Sequence, residues 1–440
     1  MRKLFALSAA CTAFSAVAAP LVSDVVMEQV GKNMTIGYTL AGGPAIVTVD
    51  IQTNVTDDVW ASIGGDHLAH LSGDANKRVE PGARTITWQL HKDLPEETET
   101  KNLKAVVTAW SLSAPPDYMV ACLTNANDVT FYADASLVPL GVSNDMYKTD
   151  YLVMRKCPAA NVAWRMGSPV TENSRASDGS ETPHIVTLSD DFYICIYPIT
   201  QRQYEILMLA NGAAANIARP STYGLDSDYA MRLVEHVSYD ALRGTVDAGY
   251  NWPATGHAVK PDGFISYLRA QTGLSDIDLP TEAQWEFACR AGCGAALYNG
   301  RELPARWSNA TPISEFDMLN ELGRYRGNGG SISGLDDNPP DKADATADVA
   351  TPIVGSYLPN AWGIYDMLGG AREWCLDWFK ADLTDVDPET GPTEGEDRPL
   401  RGGGWAYGPH NCRCADRGHV TSSAGWPQIG FRLACPAVIQ

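Results

Sequence analysis

Nine cysteines follow Trp110, and their thiols are the first side chains to consider for chemistry. They are Cys122, Cys157, Cys195, Cys289, Cys293, Cys375, Cys412, Cys414 and Cys435. Because the number is odd, at least one thiol stays free or pairs with another chain if the others form disulfides. A zinc site is not indicated, since the chain has no Cys-x-x-Cys and Cys412-Arg-Cys414 would put two thiols on one side of an extended strand.

A second group of side chains, suited to recognition, lies between Trp405 and Trp426. It combines aromatic, amide, imidazole and guanidinium groups among small residues, at Tyr407, His410, Asn411, Arg417, His419 and Trp426. Such mixtures are typical of adaptable binding surfaces. The segment therefore predicts contact with a protein or glycan ligand. For Trp405 we expect a place in the core, because it directly follows a run of three glycines.

Composition excludes several classes of protein. The chain of 440 residues carries 53 acidic and 33 basic side chains, a formal charge of −20. Phosphates of nucleic acid and anionic lipids would be repelled by such a surface. Intrinsic disorder is excluded by 45% hydrophobic residues with 12 Trp and 18 Tyr. A serine hydrolase is not indicated either, since no nucleophile motif is present.

The first residues have the pattern of a cleaved targeting segment. Arg2 and Lys3 precede an apolar stretch, Leu4–Val17, that ends in the small residues Ala16-Val17-Ala18. This pattern predicts a signal peptide at residues 1–19, because the stretch is shorter than the roughly 20 residues that span a bilayer. We expect a secreted or periplasmic protein without membrane insertion, in a compartment where disulfides form.

The following segment alternates apolar and polar residues with period two. The apolar members are Met34, Ile36, Tyr38 and Leu40, then Ala45, Val47, Val49 and Ile51, then Ile86 and Trp88. Turn residues such as Gly42-Gly43-Pro44 separate these runs, which is typical of half-buried antiparallel strands. The pattern predicts an all-β sandwich of the immunoglobulin or fibronectin kind. Because Val120–Leu137 still has strand character, we place this domain at residues 20–135.

The remainder, residues 136–440, carries a series of short motifs. They are Met166-Gly-Ser168, Phe192-Tyr-Ile-Cys-Ile-Tyr-Pro-Ile-Thr200, Leu279-Pro-Thr-Glu-Ala-Gln-Trp-Glu-Phe-Ala-Cys-Arg-Ala-Gly292, Asn360-Ala-Trp-Gly-Ile-Tyr-Asp-Met367, Arg372-Glu-Trp374, Arg401-Gly-Gly-Gly-Trp405 and Ile429-Gly-Phe-Arg-Leu433. In this order they resemble the formylglycine-generating enzyme family, also called the sulfatase-modifying factor domain. The resemblance implies an α+β, loop-rich variant of the C-type lectin fold. Thr281 and Gln284 have capping-box spacing, which predicts a helix that Gly292 closes.

The family oxidises a cysteine of a sulfatase with oxygen and with copper held by a Cys-x4-Cys pair. A soft Cu(I) ion requires both thiolates. When the family's spacing is counted forward from Gly402-Gly403, the two thiol positions fall on Tyr407 and Cys412. When it is counted backward from the later Arg-Cys-Ala-Asp-Arg run, they fall on Gly404 and Pro409. Neither alignment retains two thiols. We therefore do not expect copper, and Cys412 is the single candidate for a catalytic thiol.

The resemblance also implies a disulfide between Cys289 and Cys414, since both ends of that family bridge are present. The family's other bridge has lost both of its cysteines here, as the loss of a disulfide predicts. For Cys412 we then expect a structural role, with Cys375 or Cys435 as a partner. The pairing of the other thiols is open, namely Cys122, Cys157, Cys195 and Cys293.

A calcium site is the third implication of the resemblance. The family ligands correspond to the side chains of Asp366 and Glu373 and the backbone carbonyls of Gly369 and Ala371. Calcium takes six to eight oxygen ligands, which these groups and water can supply. The alternative is that the two carboxylates accept hydrogen bonds from local amides or pair with Arg372.

Several functions follow from these patterns. The first is an exported, calcium-stabilised domain that binds a protein or glycan and lacks the oxidase chemistry. The second is an active family oxidase that modifies a sulfatase cysteine through Cys412. The third is a variable ligand-binding protein of a diversity-generating retroelement. It rests on analogy alone, because the variable stretch of those proteins also ends in a Gly-Phe-Arg strand. A purely structural surface protein is the fourth.

Overall fold

A computed structural model describes residues 18–56, 58–95, 102–222, 228–304, 313–328 and 351–439. They form two compact units. The first comprises the described residues up to Ile63 together with His67–Leu112, and the second comprises Gly64–Asp66 and the described residues from Ser113 onward. The predicted signal peptide lies outside the described residues except for Ala18 and Ala19. Within the described part, no helix is both long and apolar enough to cross a membrane.

The described residues of the first unit form two antiparallel sheets and one short helix. Its elements are β1 (Leu21–Val30), β2 (Asn33–Ala41), β3 (Ala45–Thr56), β4 (Val59–Ser62), β5 (Leu71–Gly73), β6 (Lys77–Val79), β7 (Gly82–Trp88), α1 (Leu90–Asp93) and β8 (Leu103–Ser111). One sheet has the order β1-β2-β7-β5, and in the other β3 pairs with β4, β6 and β8.

The alternating apolar residues of β2, β3 and β7 share one buried core. Ile36, Val47, Ile51, Ile86 and Trp88 are each inaccessible to solvent, and the other predicted core positions of these strands belong to the same cluster. A period of two places every second side chain on the same face of a sheet, which explains why the pattern located this core. The predicted all-β sandwich is confirmed.

The second unit is mixed α+β. Its strands are β9 (Tyr118–Cys122), β10 (Val129–Tyr132), β11 (Tyr151–Cys157), β12 (Ala163–Met166), β13 (His184–Thr187), β14 (Phe192–Cys195), β15 (Arg372–Trp374), β16 (Asp397–Arg401), β17 (Arg417–Thr421), β18 (Ile429–Gly430) and β19 (Ala434–Pro436). Its helices are α2 (Gln201–Ala210), α3 (Ala215–Ala218), α4 (Tyr239–Arg243), α5 (Phe264–Thr272) and α6 (Glu282–Arg290). The sheets have the orders β10-β9-β11-β14-β19, β12-β13 and β17-β16-β15-β18.

The boundary between the units lies earlier than the sequence predicts. β9 and β10, which the strand pattern assigned to the sandwich, pair with each other, and β9 pairs with β11 of the second unit. The compact units divide between Leu112 and Ser113 instead of at residue 135. Local alternation identifies a strand but not its partner, because the partner is chosen by contacts distant in sequence.

The helix α6 contributes side chains to the core of the second unit. Thr281 accepts a hydrogen bond from the Gln284 amide, and the Gln284 side chain accepts one from the Thr281 amide, so the predicted capping box is present. Trp285 and Cys289 are fully buried. The helix ends at Arg290, and Ala291, one residue before the predicted glycine, takes the left-handed conformation (φ 45°) that closes it.

Candidate functional site

The Gly402–Gly404 turn and Cys412 lie against each other after β16. Gly402 and Gly403 have φ of 92° and 73°, and a Cβ on Gly403 would lie 2.7 Å from the Cys412 Sγ atom. The Gly404 amide donates a hydrogen bond to that sulfur. Burial raises the pKa of the Cys412 thiol to about 12, so the thiol is protonated at neutral pH. A buried, protonated thiol is a poor nucleophile and a poor metal ligand.

Tyr407 lies at the position where the forward count places the family's first thiol. Its Cδ2 atom lies 3.2 Å from where a Cβ on Gly404 would stand, so Tyr407 and Cys412 both contact this glycine. The ring packs against the guanidinium of Arg372 in β15, with 4.5 Å from the Arg372 Cζ atom to the ring centroid. The Tyr407 ring, with the Arg372 guanidinium against it, therefore lies next to the glycine that bonds to the Cys412 sulfur.

Arg372 and its neighbours were missed as site residues by the sequence reasoning. Its Nη2 atom lies 3.3 Å from a carboxylate oxygen of Asp416, whose other oxygen accepts a hydrogen bond from Asn411 at 3.3 Å. A Cβ on Gly418 of β17 would lie 1.9 Å from the Arg372 Nη1 atom, so a side chain at position 418 would displace this guanidinium. The sequence feature that could have indicated this role is the arginine at position 372, where the family pattern Trp-Glu-Trp has a tryptophan.

The predicted ligand-binding residues fall into exposed and buried groups. Trp426 is 48% exposed, and Tyr407, His410 and Asn411 are half-buried. His419 is exposed; its Nδ1 atom lies 2.6 Å from Asp397, and its ring stacks on Phe379 at a centroid distance of 4.0 Å. Tyr407 and Asn411 meet around Arg372 and Asp416, whereas His419 contacts a different set of side chains.

Arg417 does not belong to the exposed group, which corrects its assignment as a ligand contact. Its side chain is buried and donates to both carboxylate oxygens of Glu282 at 2.6 and 2.8 Å. It also donates to the carbonyls of Ser180, Lys380 and Ala381. All of its hydrogen-bonding capacity is used inside the domain, since a guanidinium has five N–H donors.

Of the two carboxylates predicted to bind calcium, Asp366 has an oxygen without a hydrogen-bond partner, whereas Glu373 is paired. Asp366 is buried; one carboxylate oxygen accepts from the Gly355 amide at 2.6 Å, and the other has no hydrogen-bond partner among the described residues. Burial raises its pKa to about 6. An unsatisfied buried carboxylate oxygen is costly unless a cation or water contacts it. The Gly369 and Ala371 carbonyls stay predicted ligands beside Asp366.

Glu373 already has a cationic partner. Arg432 donates to both of its oxygens at 2.7 and 2.8 Å, and the Trp285 indole N–H donates to one of them at 2.7 Å. The alternative that Glu373 pairs with Arg372 is therefore wrong, because its partner is Arg432 of the Gly-Phe-Arg segment. Glu373 would have to share its carboxylate between calcium and this guanidinium.

Cys289 and Cys414 lie side by side in the core. Both thiols are buried and free, and they are close enough to form a hydrogen bond. Burial, followed by the Cys414 thiol, raises the pKa of Cys289. The structure thus brings the predicted pair together, while their disulfide stays a prediction.

Comparison with known proteins identifies the family. Residues 157–437, more than half of the chain, match the sulfatase-modifying factor enzyme 1-like domain, also called FGE-sulfatase. The chain belongs to this family, and its second unit has the mixed α+β fold that the motifs predicted.

Two relatives and one solved structure show how far the similarity extends. The chain is 25% identical to the formylglycine-generating enzyme of Bos taurus in an alignment of 293 positions that covers 60% of this chain and 71% of the enzyme. It is 35% identical to the serine/threonine-protein kinase pkn1 of Chlamydia pneumoniae over 161 residues, 36% of this chain, and spans only 20% of the kinase. PvdO from Pseudomonas aeruginosa is similar at 21% identity and a TM-score of 0.44, covering 65% of this chain and 94% of PvdO.

A second buried carboxylate, Asp377, contacts Glu282, the ion-pair partner of Arg417. One of its oxygens accepts from the Glu282 amide at 2.9 Å, and the other has no hydrogen-bond partner in the described part of the chain. Burial, and then the negative charge of Glu282, raise the pKa of Asp377 from 3.8 to about 7, although Arg398 and Arg417 act in the opposite direction.

Asp377→Asn is expected to reduce the pH dependence of stability. Because the folded protein keeps a proton on Asp377 that the unfolded chain has lost above pH 3.8, the free energy of unfolding falls as pH rises through about 7. We expect the variant to exceed the wild type in stability at about pH 8 and to lose less between about pH 5 and pH 8. Asp366, whose pKa is also raised, leaves a residual slope in the same direction.

The measurement is urea unfolding followed by tryptophan fluorescence at both pH values. Asp262→Asn, at an exposed position, is the matched control and should keep the wild-type slope. Equal slopes for Asp377→Asn and the wild type would contradict the assignment.

Proposed function

We propose that this protein is an exported ligand-binding member of the family that lacks the two-thiol oxidase chemistry. One observation carries the proposal: Tyr407, at the first thiol position of the forward count, packs against Arg372 and contacts Gly404, the residue whose amide bonds to Cys412. Cu(I) bound by cysteine requires thiolates, and the one thiol at this place is buried and protonated. The neighbouring Cys414 already contacts Cys289.

The surface around this place supports recognition. The Trp426 side chain is 48% exposed. A ligand that covers it would remove its apolar surface from water, which favours binding. Tyr407, His410, Asn411 and His419 supply polar groups on semi-rigid side chains in the same C-terminal segment. Tyrosine, tryptophan and asparagine are the residues that binding surfaces use most, because they combine contact area with few rotatable bonds. A protein or a glycan is the ligand class that we propose.

Calcium is part of the proposal as a structural ion. It would relieve the unsatisfied Asp366 oxygen and hold the Gly369–Ala371 turn, which leads directly into Arg372. The site of ligand binding would then depend on calcium through the position of Arg372, without calcium contacting the ligand.

Trp426→Ala is expected to weaken ligand binding about tenfold or more, as removal of an interface tryptophan commonly does. The probes are a printed glycan array and an array of extracellular proteins, followed by titration of each hit. Ile185→Ala, which removes a 68% exposed apolar side chain elsewhere in the second unit, is the control and should bind as the wild type does. Saturable binding that is unchanged in Trp426→Ala would contradict the placement of the surface.

Reduced wild-type protein is expected to bind no stoichiometric Cu(I) and to leave a sulfatase-derived cysteine peptide unoxidised. Anaerobic Cu(I) titration and mass spectrometry of the peptide after aeration measure the two results. If aldehyde forms and Cys412→Ser abolishes it, the protein is an oxidase and the proposal is wrong. Cys412→Ser should otherwise keep the ligand binding of the wild type.

Removal of calcium is expected to lower the melting temperature. Stabilisation by a bound ion follows the ratio of its concentration to its Kd, about 2.7 kcal/mol at one hundred times Kd. The protein is treated with EGTA, and melting is followed by circular dichroism with and without added CaCl2. Asp366→Asn should lose the response to calcium, whereas Asp262→Asn should retain it. A calcium response retained by Asp366→Asn would place the ion elsewhere.

A further inference from the structure

The chain between Phe379 and β16 forms a loop that returns to its starting point. The Phe379 amide donates to the Asp397 carbonyl at 2.9 Å, so the two ends of the loop lie together. Residues 382–396, which we call the acidic strap, carry six carboxylates and no basic side chain. A surface loop with joined ends can move away from a domain while its anchors stay folded.

The acidic strap covers the side chain of Asp377. Gly391 of the strap packs on this carboxyl group so closely that a Cβ atom there would lie 2.6 Å from the Asp377 Cγ atom. Asp377 is only 3% exposed under this cover. One of its oxygens accepts from the Glu282 amide, and the other has no hydrogen-bond partner among the residues that the structure describes. The closed strap therefore separates a polar oxygen from water.

A cavity of about 20 Å3 lies between the acidic strap and the rest of the second unit, and Asp377 lines it. The apolar part of its wall includes Met166 of β12 and Val186 of β13, together with Leu383 and Val386 of the strap. Such a volume holds about one water molecule, which is too little to hydrate a carboxylate. An ionised Asp377 is therefore disfavoured while the strap is closed.

Charged and titratable side chains of the surrounding elements do not compensate for this burial. They are the carboxylates of Glu282 in α6 and Asp387 in the strap, the guanidiniums of Arg398 in β16 and Arg417 in β17, and the imidazole of His184 in β13. Arg417 donates to both oxygens of Glu282, so its charge is already matched there. Burial first, and then Glu282, raise the pKa of Asp377 to about 7.

We propose that the acidic strap is a pH-sensitive cover that closes on the protonated carboxyl group of Asp377 and opens when this group ionises. The closed strap favours the neutral acid because it excludes water, and the open strap favours the carboxylate because water reaches it. Ionisation also adds a negative charge beneath a segment that already carries six, so repulsion acts in the same direction. Opening uncovers the apolar wall at Met166 and Val186. The cover is independent of the ligand surface proposed above, so either assignment can fail without the other.

The test is hydrogen exchange of the full-length protein at about pH 5 and pH 8, because exchange reports local opening. Mass spectrometry with fragmentation to single residues gives protection factors, each corrected for the intrinsic exchange rate at its pH. The strap is followed at the amides of Val386 and Gly391, which donate to the carbonyls of Leu383 and Asp387. The Cys195 amide, which donates to a backbone carbonyl in the core, is the reference for global unfolding.

The strap amides of the wild type should lose protection at least about tenfold between pH 5 and pH 8, because Asp377 releases its proton in this range. Cys195 should stay better protected than the strap at both pH values, as local opening requires. Asp377→Asn cannot ionise, so the protection of its strap should change less than about twofold. The control Asp262→Asn, at an exposed position, should respond as the wild type does.

Gly391→Ala tests the contact between the strap and Asp377. The added methyl group would meet the carboxyl group, so the strap should lose protection about tenfold or more already at pH 5, with Cys195 unchanged. Gly212→Ala is the matched control. Gly212 has a positive φ like Gly391, but no atom lies within 4 Å of an added Cβ, so its strap should be protected as in the wild type.

Four results would overturn the proposal. The first is unchanged protection of the wild-type strap between the two pH values. The second is a loss of protection in Asp377→Asn as large as in the wild type. The third is equal protection of the strap and Cys195 at both pH values, which would show exchange by global unfolding. The fourth is a strap that is protected in Gly391→Ala as in the wild type.

Discussion

The buried pair of Arg401 and Glu286 is the interaction on which the second unit depends. Both side chains are inaccessible to solvent, and Glu286 also accepts from Arg290 and from the Gly167 amide. Arg401 donates further to the carbonyls of residues 414–416, the turn that follows Cys412. Removing one partner of a buried ion pair leaves an uncompensated charge, which costs about 3–5 kcal/mol. One carboxylate on α6 thus fixes β16, the Gly167 turn and the segment that carries the candidate site.

The same principle recurs with other arginines. Arg413 pairs with Glu172 and Glu181, Arg432 with Glu373, and Arg243 with Asp278. These guanidiniums are among the largest fully buried side chains of the protein. Because each is buried together with its carboxylate partners, these groups add no positive charge to the surface. The absence of a nucleic-acid partner stays a prediction from composition.

Sequence patterns predicted what depends on neighbours along the chain. The alternation in β2 and β3 located the sandwich core, and the Thr281–Gln284 spacing located the start of α6, since both are set by the geometry of a few consecutive residues. The order of the motifs predicted the family that the match over residues 157–437 shows. The same local reasoning failed for β9 and β10, whose partner β11 follows later, and for Arg417, whose partner Glu282 is 135 residues away.

By itself, therefore, the sequence determined most of the elements, the family and the lack of a Cys-x4-Cys pair, because these follow from residue type and spacing. Tertiary structure alone decided that Arg372 lies against Tyr407, that Glu373 pairs with Arg432, and that the acidic strap covers Asp377. Each of these brings together side chains from separate elements. Their proximity is set by the packing of buried charge and apolar surface across the whole unit, which no spacing along the chain encodes.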